Sequence, residues 1–150
     1  MKFVIDLSTY RAANNAGKNS LRCLFAILER RDHTVIIDYN TMNVLWSICN
    51  DTSCNPQLRD WFIALKSEKR FLYKNTELTH IPANLSQHVS WKIIKDDLNN
   101  VALALQHGDN VILFYPILSQ GCDILSQYFK MIDWKDVSKS DTACWIDAVK

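Results

Sequence analysis

Short apolar runs alternate along this chain with longer stretches in which apolar residues recur every three or four positions. A short, continuously apolar run is typical of a strand in a sheet that is covered on both faces. Spacings of three and four place apolar side chains on one side of a helix. We therefore predict strands at residues 2–7, 34–37, 111–115 and 129–132, and a possible short strand at 70–73.

Apolar stripes and capping signals predict the helices between these strands. Asn55 followed by Pro56 is typical of a helix N-terminus, because asparagine caps the helix and proline fits its first turn. Gly108 stands where a glycine commonly ends a helix. Helices are predicted at residues 21–28, 42–49, 56–65, 97–107 and 124–128, with a terminal helix capped by Asp141 at 141–148. Residues 14–19 are predicted as a loop, and residues 75–90 as a loop with room for one short helix.

The order of these elements indicates one α/β domain over residues 1–150. Strands that alternate with helices form an open, mostly parallel sheet with helices on both faces. We therefore expect a three-layer α/β/α arrangement with a central, mostly parallel sheet. A linker rich in proline and glycine is absent from the sequence, and so is an internal repeat, which favours a single domain.

The composition is that of a folded domain without a strong charge. Hydrophobic residues make up 48% of the chain and charged residues 22%, and glycine and proline number three each. These values exclude the disordered and fibrous classes. The formal net charge is +1, so a nucleic acid would be bound by a local basic patch and not by an overall positive field.

Cysteine usage and hydropathy indicate a cytoplasmic protein. The five cysteines include no CxxC pair, so we expect them to be reduced and mostly buried, without zinc. The opening segment MKFVIDLS is too short for the apolar core of a signal peptide and contains Asp6. The sequence holds no apolar run near the ~20 residues that span a bilayer. We therefore expect a soluble protein with no membrane partner.

Three carboxylates stand where an open α/β sheet places its ligands. Asp6 ends the first predicted strand, and Asp96 and Asp97 stand at the start of the predicted helix 97–107. Ligands of such sheets bind beyond the carboxyl ends of the strands, and convergent carboxylates commonly hold Mg²⁺ or Mn²⁺. Aspartates at a strand end and at a helix start are also ordinary caps, so spacing alone leaves both interpretations open.

Residues 4–8, with Asp6 followed two places later by Ser8, resemble the first motif of the PIN-domain nuclease family. Residues 97–113 are similar to its third motif, in which an aspartate begins an alanine-rich helix, a glycine ends it and a buried strand follows. The resemblance implies a PIN-like parallel sheet with the first and fourth strands adjacent. It also implies a metal-dependent endoribonuclease in which Asp6 and Asp97 hold Mg²⁺ or Mn²⁺, Asp96 assists, and Ser8 orients Asp6 or a water at the metal.

The same resemblance implies partners. Many family members are toxins of toxin–antitoxin pairs, so we expect an RNA substrate, an antitoxin or other protein partner, and a possible homodimer. Basic residues near the predicted site, or around the third helix and the strand that follows it, are the candidate RNA contacts, with an ordinary solvated surface as the competing interpretation. These residues are Arg11, Lys18, Lys69 and Arg70.

The chain departs from the family pattern at two acidic positions. The family usually places a glutamate in the helix after the second strand, where this chain has Asn43 or Val44. Asp38, at the end of that strand, is the nearest carboxylate and our lower-ranked replacement. A fourth acidic or polar position is replaced by the segment 114–116, Phe-Tyr-Pro. The alternative is therefore a catalytically inactive PIN-like domain that binds protein or RNA.

Overall fold

The computed structural model describes residues 1–75, 81–107, 110–114 and 123–133. Within these residues, five strands form one sheet in which every neighbouring pair is parallel, in the order β3-β2-β1-β4-β5. The predicted strands are confirmed to within two residues at each end, including the short one at 70–73. The strands are β1 (Lys2–Ile5), β2 (Thr34–Ile37), β3 (Phe71–Tyr73), β4 (Asn110–Phe114) and β5 (Lys130–Asp133).

Helices connect the strands largely as the stripes predict. The α-helices are α1 (Leu7–Asn14), α2 (Lys18–Glu29), α3 (Tyr39–Asn50), α4 (Pro56–Ser67), α5 (Ala83–Ser86), α6 (Trp91–Ile94) and α7 (Leu98–His107), and 3-10 helices span Lys95–Asp97 and Asp123–Gln127.

Three helix predictions need comment. Helix α1 was not predicted, and the helix expected at 124–128 is a 3-10 turn. Asn55 caps α4 as predicted, because its side chain accepts hydrogen bonds from the first turn of that helix. The terminal helix expected at 141–148 lies outside the described residues.

Alternate residues of the central strands belong to two separate clusters of buried side chains. Phe3 and Ile5 of β1 pack in a first cluster with residues of α1 to α4. Val4, between them, packs in a second cluster with residues of α5, α6 and α7. Because successive side chains of a strand point to opposite faces, the two clusters cover opposite faces of the sheet. The fold is therefore a mixed α/β structure around a parallel sheet.

The strand order creates a switch point beside β1. The chain moves from β1 through β2 to β3 on one side, and then returns to place β4 against the other side of β1. The register pairs Ile5 of β1 with Leu113 of β4. The adjacency of the first and fourth strands, which the resemblance implied, is thus present. In open α/β sheets the crevice outside the carboxyl ends of the strands at such a point is the usual ligand site.

Two further expectations are addressed by the described residues. Cys23, Cys49 and Cys54 are buried, as predicted. Among the helices described, none has the length and apolar character needed to cross a membrane.

Candidate functional site

Asp6 lies at the switch point, directly after β1. Its carboxylate is 7% exposed and caps α1 by accepting a hydrogen bond of 3.2 Å from the backbone amide of Ser8. The Ser8 hydroxyl also donates to Asp6 Oδ2. From the other side, Asn100 Nδ2 donates to Asp6 Oδ1 at 3.0 Å. Asp6 is therefore fixed by groups from both α1 and α7, and Ser8 has the orienting contact predicted for it.

Asp97 faces Asp6 from the opposite side of the crevice. It ends the 3-10 turn Lys95–Asp97, which joins α6 to α7 in one helical path from residue 91 to 107. Its carboxyl group is half-buried and, when protonated, donates a hydrogen bond to that of Asp6. Burial, and then the charge and hydrogen bond of Asp6 and the charge of Asp96, raise the pKa of Asp97 from 3.8 to about 6. The structure thus brings together the two carboxylates ranked first from the sequence.

A small polar cleft opens where these two carboxylates meet. Its volume is about 250 Å³, and Asp6, Asp97 and Asn100 are among the residues that line it. Asp96 also lines the cleft, but its side chain is exposed. Lys95 contributes a positive charge at the same rim. The cleft therefore combines the buried carboxylate of Asp6 and the half-buried one of Asp97 with an exposed carboxylate and a lysine.

Asp38 occupies the equivalent position on the neighbouring strand. It directly follows β2, is buried, and caps α3 by accepting a hydrogen bond of 2.8 Å from the backbone amide of Thr41. The cleft is lined by Thr41 from this helix, and Asp38 is not among its lining residues in the described chain. Asp38 therefore caps α3. Its contacts in the described chain do not support the prediction that it replaces the missing glutamate.

A complete acidic cluster is not present in the part of the chain that the structure describes. Within those residues there is no group of three or more histidine, cysteine, aspartate or glutamate side chains placed to hold one metal ion. The arrangement is thus a pair, Asp6 with Asp97, and not the triad with Asp96 that the sequence predicted. A pair remains chemically sufficient for Mg²⁺, which retains several waters and often binds through one or two carboxylates.

Arg70 does not lie on an RNA-facing surface. Its side chain is 4% exposed, and its guanidinium donates to five acceptors. Four of these are backbone carbonyls, and the fifth is the carboxylate of Glu68 at 2.9 Å. The carbonyl acceptors are those of Ile27, Leu28, Arg30 and His33, at 2.6 to 3.0 Å.

These contacts explain why Arg70 is buried. The last carbonyls of a helix lack partners within the helix and carry partial negative charge, and the carbonyls of Ile27 and Leu28 belong to the end of α2. All five N–H donors of a guanidinium are used in this way. The prediction that Arg70 contacts nucleic acid is therefore wrong, and Arg70 closes the C-terminus of α2.

The other basic candidates are exposed but are not in the cleft. Lys69 precedes β3, so it lies at the amino edge of the parallel sheet, opposite the carboxylate pair. We expected Arg11 in a loop after Asp6, but it lies in the last turn of α1, about 6 Å along the helix from Leu7. Lys18 begins α2, so the full length of α1, about 12 Å, separates it from Asp6. An RNA contact by any of the three stays a prediction.

Asn100, Thr41 and Lys95 are among the cleft-lining residues that sequence reasoning missed. Asn100 follows Asp97 by three positions, and this spacing places two helical side chains on the same face. That signal was present in the sequence. Thr41 lies three positions after Asp38, which is the spacing of a capped first turn. Lys95 has no comparable signal, because its place depends on how the 3-10 turn is oriented.

Comparison with known proteins adds no assignment, since the chain matches no family model, no curated protein and no solved structure.

Proposed function

We propose that the protein is a metal-dependent endoribonuclease with a PIN-like domain. The observation that carries the proposal is the pair of adjoining carboxyl groups, Asp6 and Asp97, which line one cleft at the switch point of a parallel sheet. The sheet has helices on both faces, which supports the finer expectation of a three-layer α/β/α arrangement of the PIN type. The adjacency of β1 and β4 supports the same kinship.

The residues of the cleft fit a hard divalent cation. Two carboxylates in contact repel each other when both are ionised, and this repulsion adds to burial in raising the pKa of Asp97. A cation between them removes the repulsion and supplies the oxygen-rich coordination that Mg²⁺ and Mn²⁺ prefer. Asp6 and Asp97 would hold the ion, which when bound would activate water and stabilise charge on a phosphodiester.

The protein's own groups would prepare this site before RNA arrives. Ser8 and Asn100 hold Asp6 in one orientation, so little freedom remains to be lost when a ligand binds. Asp97 is held by the helical turn that leads into α7. Lys95, at the rim, would attract a phosphate of the substrate. Asp96 would add negative charge at the entrance and so favour a cation.

The toxin assignment and the location belong to the same proposal. A toxin of this class would be paired with an antitoxin or another protein partner, and a homodimer is the expected oligomer. The buried cysteines of the described chain are compatible with a cytoplasmic location. Light scattering of the purified protein measures the oligomer directly, and a monomer would remove that part of the proposal.

One observation favours a second candidate, a PIN-like module without catalytic activity. The described residues hold a pair of carboxylates in place of a larger cluster, and Asp38 is used as a helix cap. A module of this kind would bind RNA or protein through the same fold. Asp6→Asn would then change the stability of the fold and not an activity.

Cleavage of a panel of labelled RNAs, measured with Mg²⁺, with Mn²⁺ and with EDTA, separates the two candidates. The nuclease cleaves in the presence of either ion, and Asp6→Asn and Asp97→Asn each abolish cleavage. Asp60→Asn is the matched control, because Asp60 is an exposed carboxylate on α4 and does not line the cleft. Absence of cleavage with every ion supports the module. Equal cleavage by the control and by the Asp6 and Asp97 variants contradicts the assignment of the site.

A further inference from the structure

Two exposed tyrosine rings stack on each other at the surface. The ring centroids of Tyr39 and Tyr73 are 5.7 Å apart, and the ring planes are inclined by 29°. Tyr39 is 57% exposed and Tyr73 is 42% exposed. In the described chain, five large hydrophobic residues are exposed to this extent, and two of them form this pair. The pair therefore presents aromatic surface to solvent that ordinary core packing does not account for.

The tyrosine pair lies at the same edge of the sheet as the carboxylates. Tyr73 is the last residue of β3, and the register pairs it with Ile37, the last residue of β2. Tyr39 opens α3 immediately after the cap Asp38. The same first turn of α3 contributes Thr41 to the lining of the acidic cleft. The stacked rings are thus joined to the cleft through a single helical turn.

Positive charge lies at the cleft to which this helical turn leads. Lys95 is exposed and lines the cleft together with Thr41 of the first turn of α3. Aromatic faces with a lysine nearby are an arrangement by which proteins bind single-stranded nucleic acid, because bases stack on the rings while the lysine pairs with a phosphate.

We propose that Tyr39 and Tyr73 form a stacking platform for an unpaired base of single-stranded RNA whose backbone enters the Asp6–Asp97 cleft. This inference rests on the proposed nuclease function and specifies the substrate as unpaired RNA. Bases within a duplex are already stacked and do not reach the rings, so double-stranded RNA does not use the platform. Stacking is tolerant of sequence, because every base has an aromatic face, and the platform therefore selects for unpaired structure and not for one sequence.

Fluorescence anisotropy of a labelled single-stranded oligoribonucleotide tests the platform without cleavage when EDTA is present. Tyr39→Leu and Tyr73→Leu retain an apolar side chain but lose the aromatic face. We expect each to raise the Kd by about 5- to 150-fold, the range for loss of one base–aromatic stack. Tyr39→Phe and Tyr73→Phe retain the ring and should bind as the unaltered protein does. Trp46→Leu is the matched control, because Trp46 is an exposed aromatic residue on α3 about 10 Å along the helix from Tyr39.

A change in the RNA tests the same contact without altering the protein. An oligonucleotide with abasic sites should bind more weakly to the unaltered protein, and it should bind equally to the unaltered protein and to Tyr73→Leu.

Loss of affinity in the leucine variants and for abasic RNA supports the platform even if no RNA is cleaved. In that case the nuclease proposal fails and the platform stands. A Kd within about twofold of the unaltered protein in both leucine variants overturns the platform. Metal-dependent cleavage that Asp6→Asn abolishes then leaves the nuclease proposal intact. Failure of the unaltered protein to bind the single strand also overturns the platform.

Discussion

The burial of Asp97 and its contact with Asp6 predict an unusual dependence of stability on pH. Asp97 has a pKa of about 6 in the folded protein, against 3.8 when its carboxyl group is unperturbed. Between these two values the folded chain retains a proton that the unfolded chain has lost. The free energy of unfolding therefore falls as the pH rises from about 4 to about 6, because the folded state binds the additional proton. Above that range, repulsion within the ionised pair lowers the free energy of unfolding by an amount that no longer changes with pH.

Asp97→Asn removes this cost while preserving the size of the side chain. A rise in pKa from 3.8 to about 6 corresponds to about 3 kcal/mol for a side chain fully shielded from water. Asp97 is only half-buried, so solvent screening reduces this figure, and we expect about 1 kcal/mol. The variant should unfold with nearly the same free energy as the unaltered protein near pH 4. It should be more stable by about 1 kcal/mol at pH 7.5.

Urea denaturation at a series of pH values, with EDTA present, measures this difference. Trp61 is a suitable reporter, because it is fully buried and its indole donates a hydrogen bond of 2.7 Å to the carbonyl of Leu24. Asp60→Asn, an exposed carboxylate away from the cleft, is the control and should show no pH-dependent gain. A stability difference between Asp97→Asn and the unaltered protein that stays constant from pH 4 to 7.5 would refute the burial and close contact that raise the pKa of Asp97.

Three further substitutions test other parts of the structure. Arg70→Met leaves the carbonyls at the end of α2 without their donors and should cost about 3–5 kcal/mol in urea denaturation, whereas Lys69→Met, at its exposed neighbour, should change stability by less than about 0.5 kcal/mol. Asn100→Ala removes a group that orients a metal-binding carboxylate, and titration should show Mn²⁺ affinity lower by about 10- to 100-fold; unchanged affinity would deny Asn100 that role. Gly17→Ala would place a Cβ 2.7 Å from the backbone oxygen of Ala12, and thermal melting should show a loss of about 1–3 kcal/mol. A Gly17→Ala variant that melts at the same temperature as the unaltered protein would show that the turn accommodates the added methyl group.

The sheet could be predicted from the sequence because its strands are short, apolar and nearly continuous. The run at 34–37 is buried from both faces, and its β-branched residues fit only a central strand. The strand at 70–73 has a weaker pattern, since it lies at the sheet edge and its last residue, Tyr73, is exposed. That edge position explains why the sequence indicated only a possible strand there.

Helix α1 was missed because its buried side does not consist of large apolar residues. Thr9, Tyr10 and Ala13 are its buried residues, and threonine and alanine do not mark a stripe in the way that leucine does. The cap at Asp6 is the better signal for this helix.

The candidate site was predictable where its residues are linked by short spacings and not where they depend on long-range contacts. Asp6 and Asp97 were identified through a strand end and a helix start, which are local patterns. The burial of Arg70 depends on carbonyls 37 to 43 residues away in sequence, and nothing in its immediate sequence distinguishes it from the exposed Lys69. The stacking of Tyr39 on Tyr73 is likewise set by the pairing of β2 with β3.

Binding of Mn²⁺, followed by electron paramagnetic resonance, tests the central claim most directly, because it reports the ion itself and needs no substrate. The unaltered protein and Asp60→Asn should each bind one Mn²⁺ in the cleft, and Asp6→Asn and Asp97→Asn should each lose that ion. Equal binding by all four proteins, or no binding by the unaltered protein at millimolar Mn²⁺, would contradict the claim that these two carboxylates form a metal site.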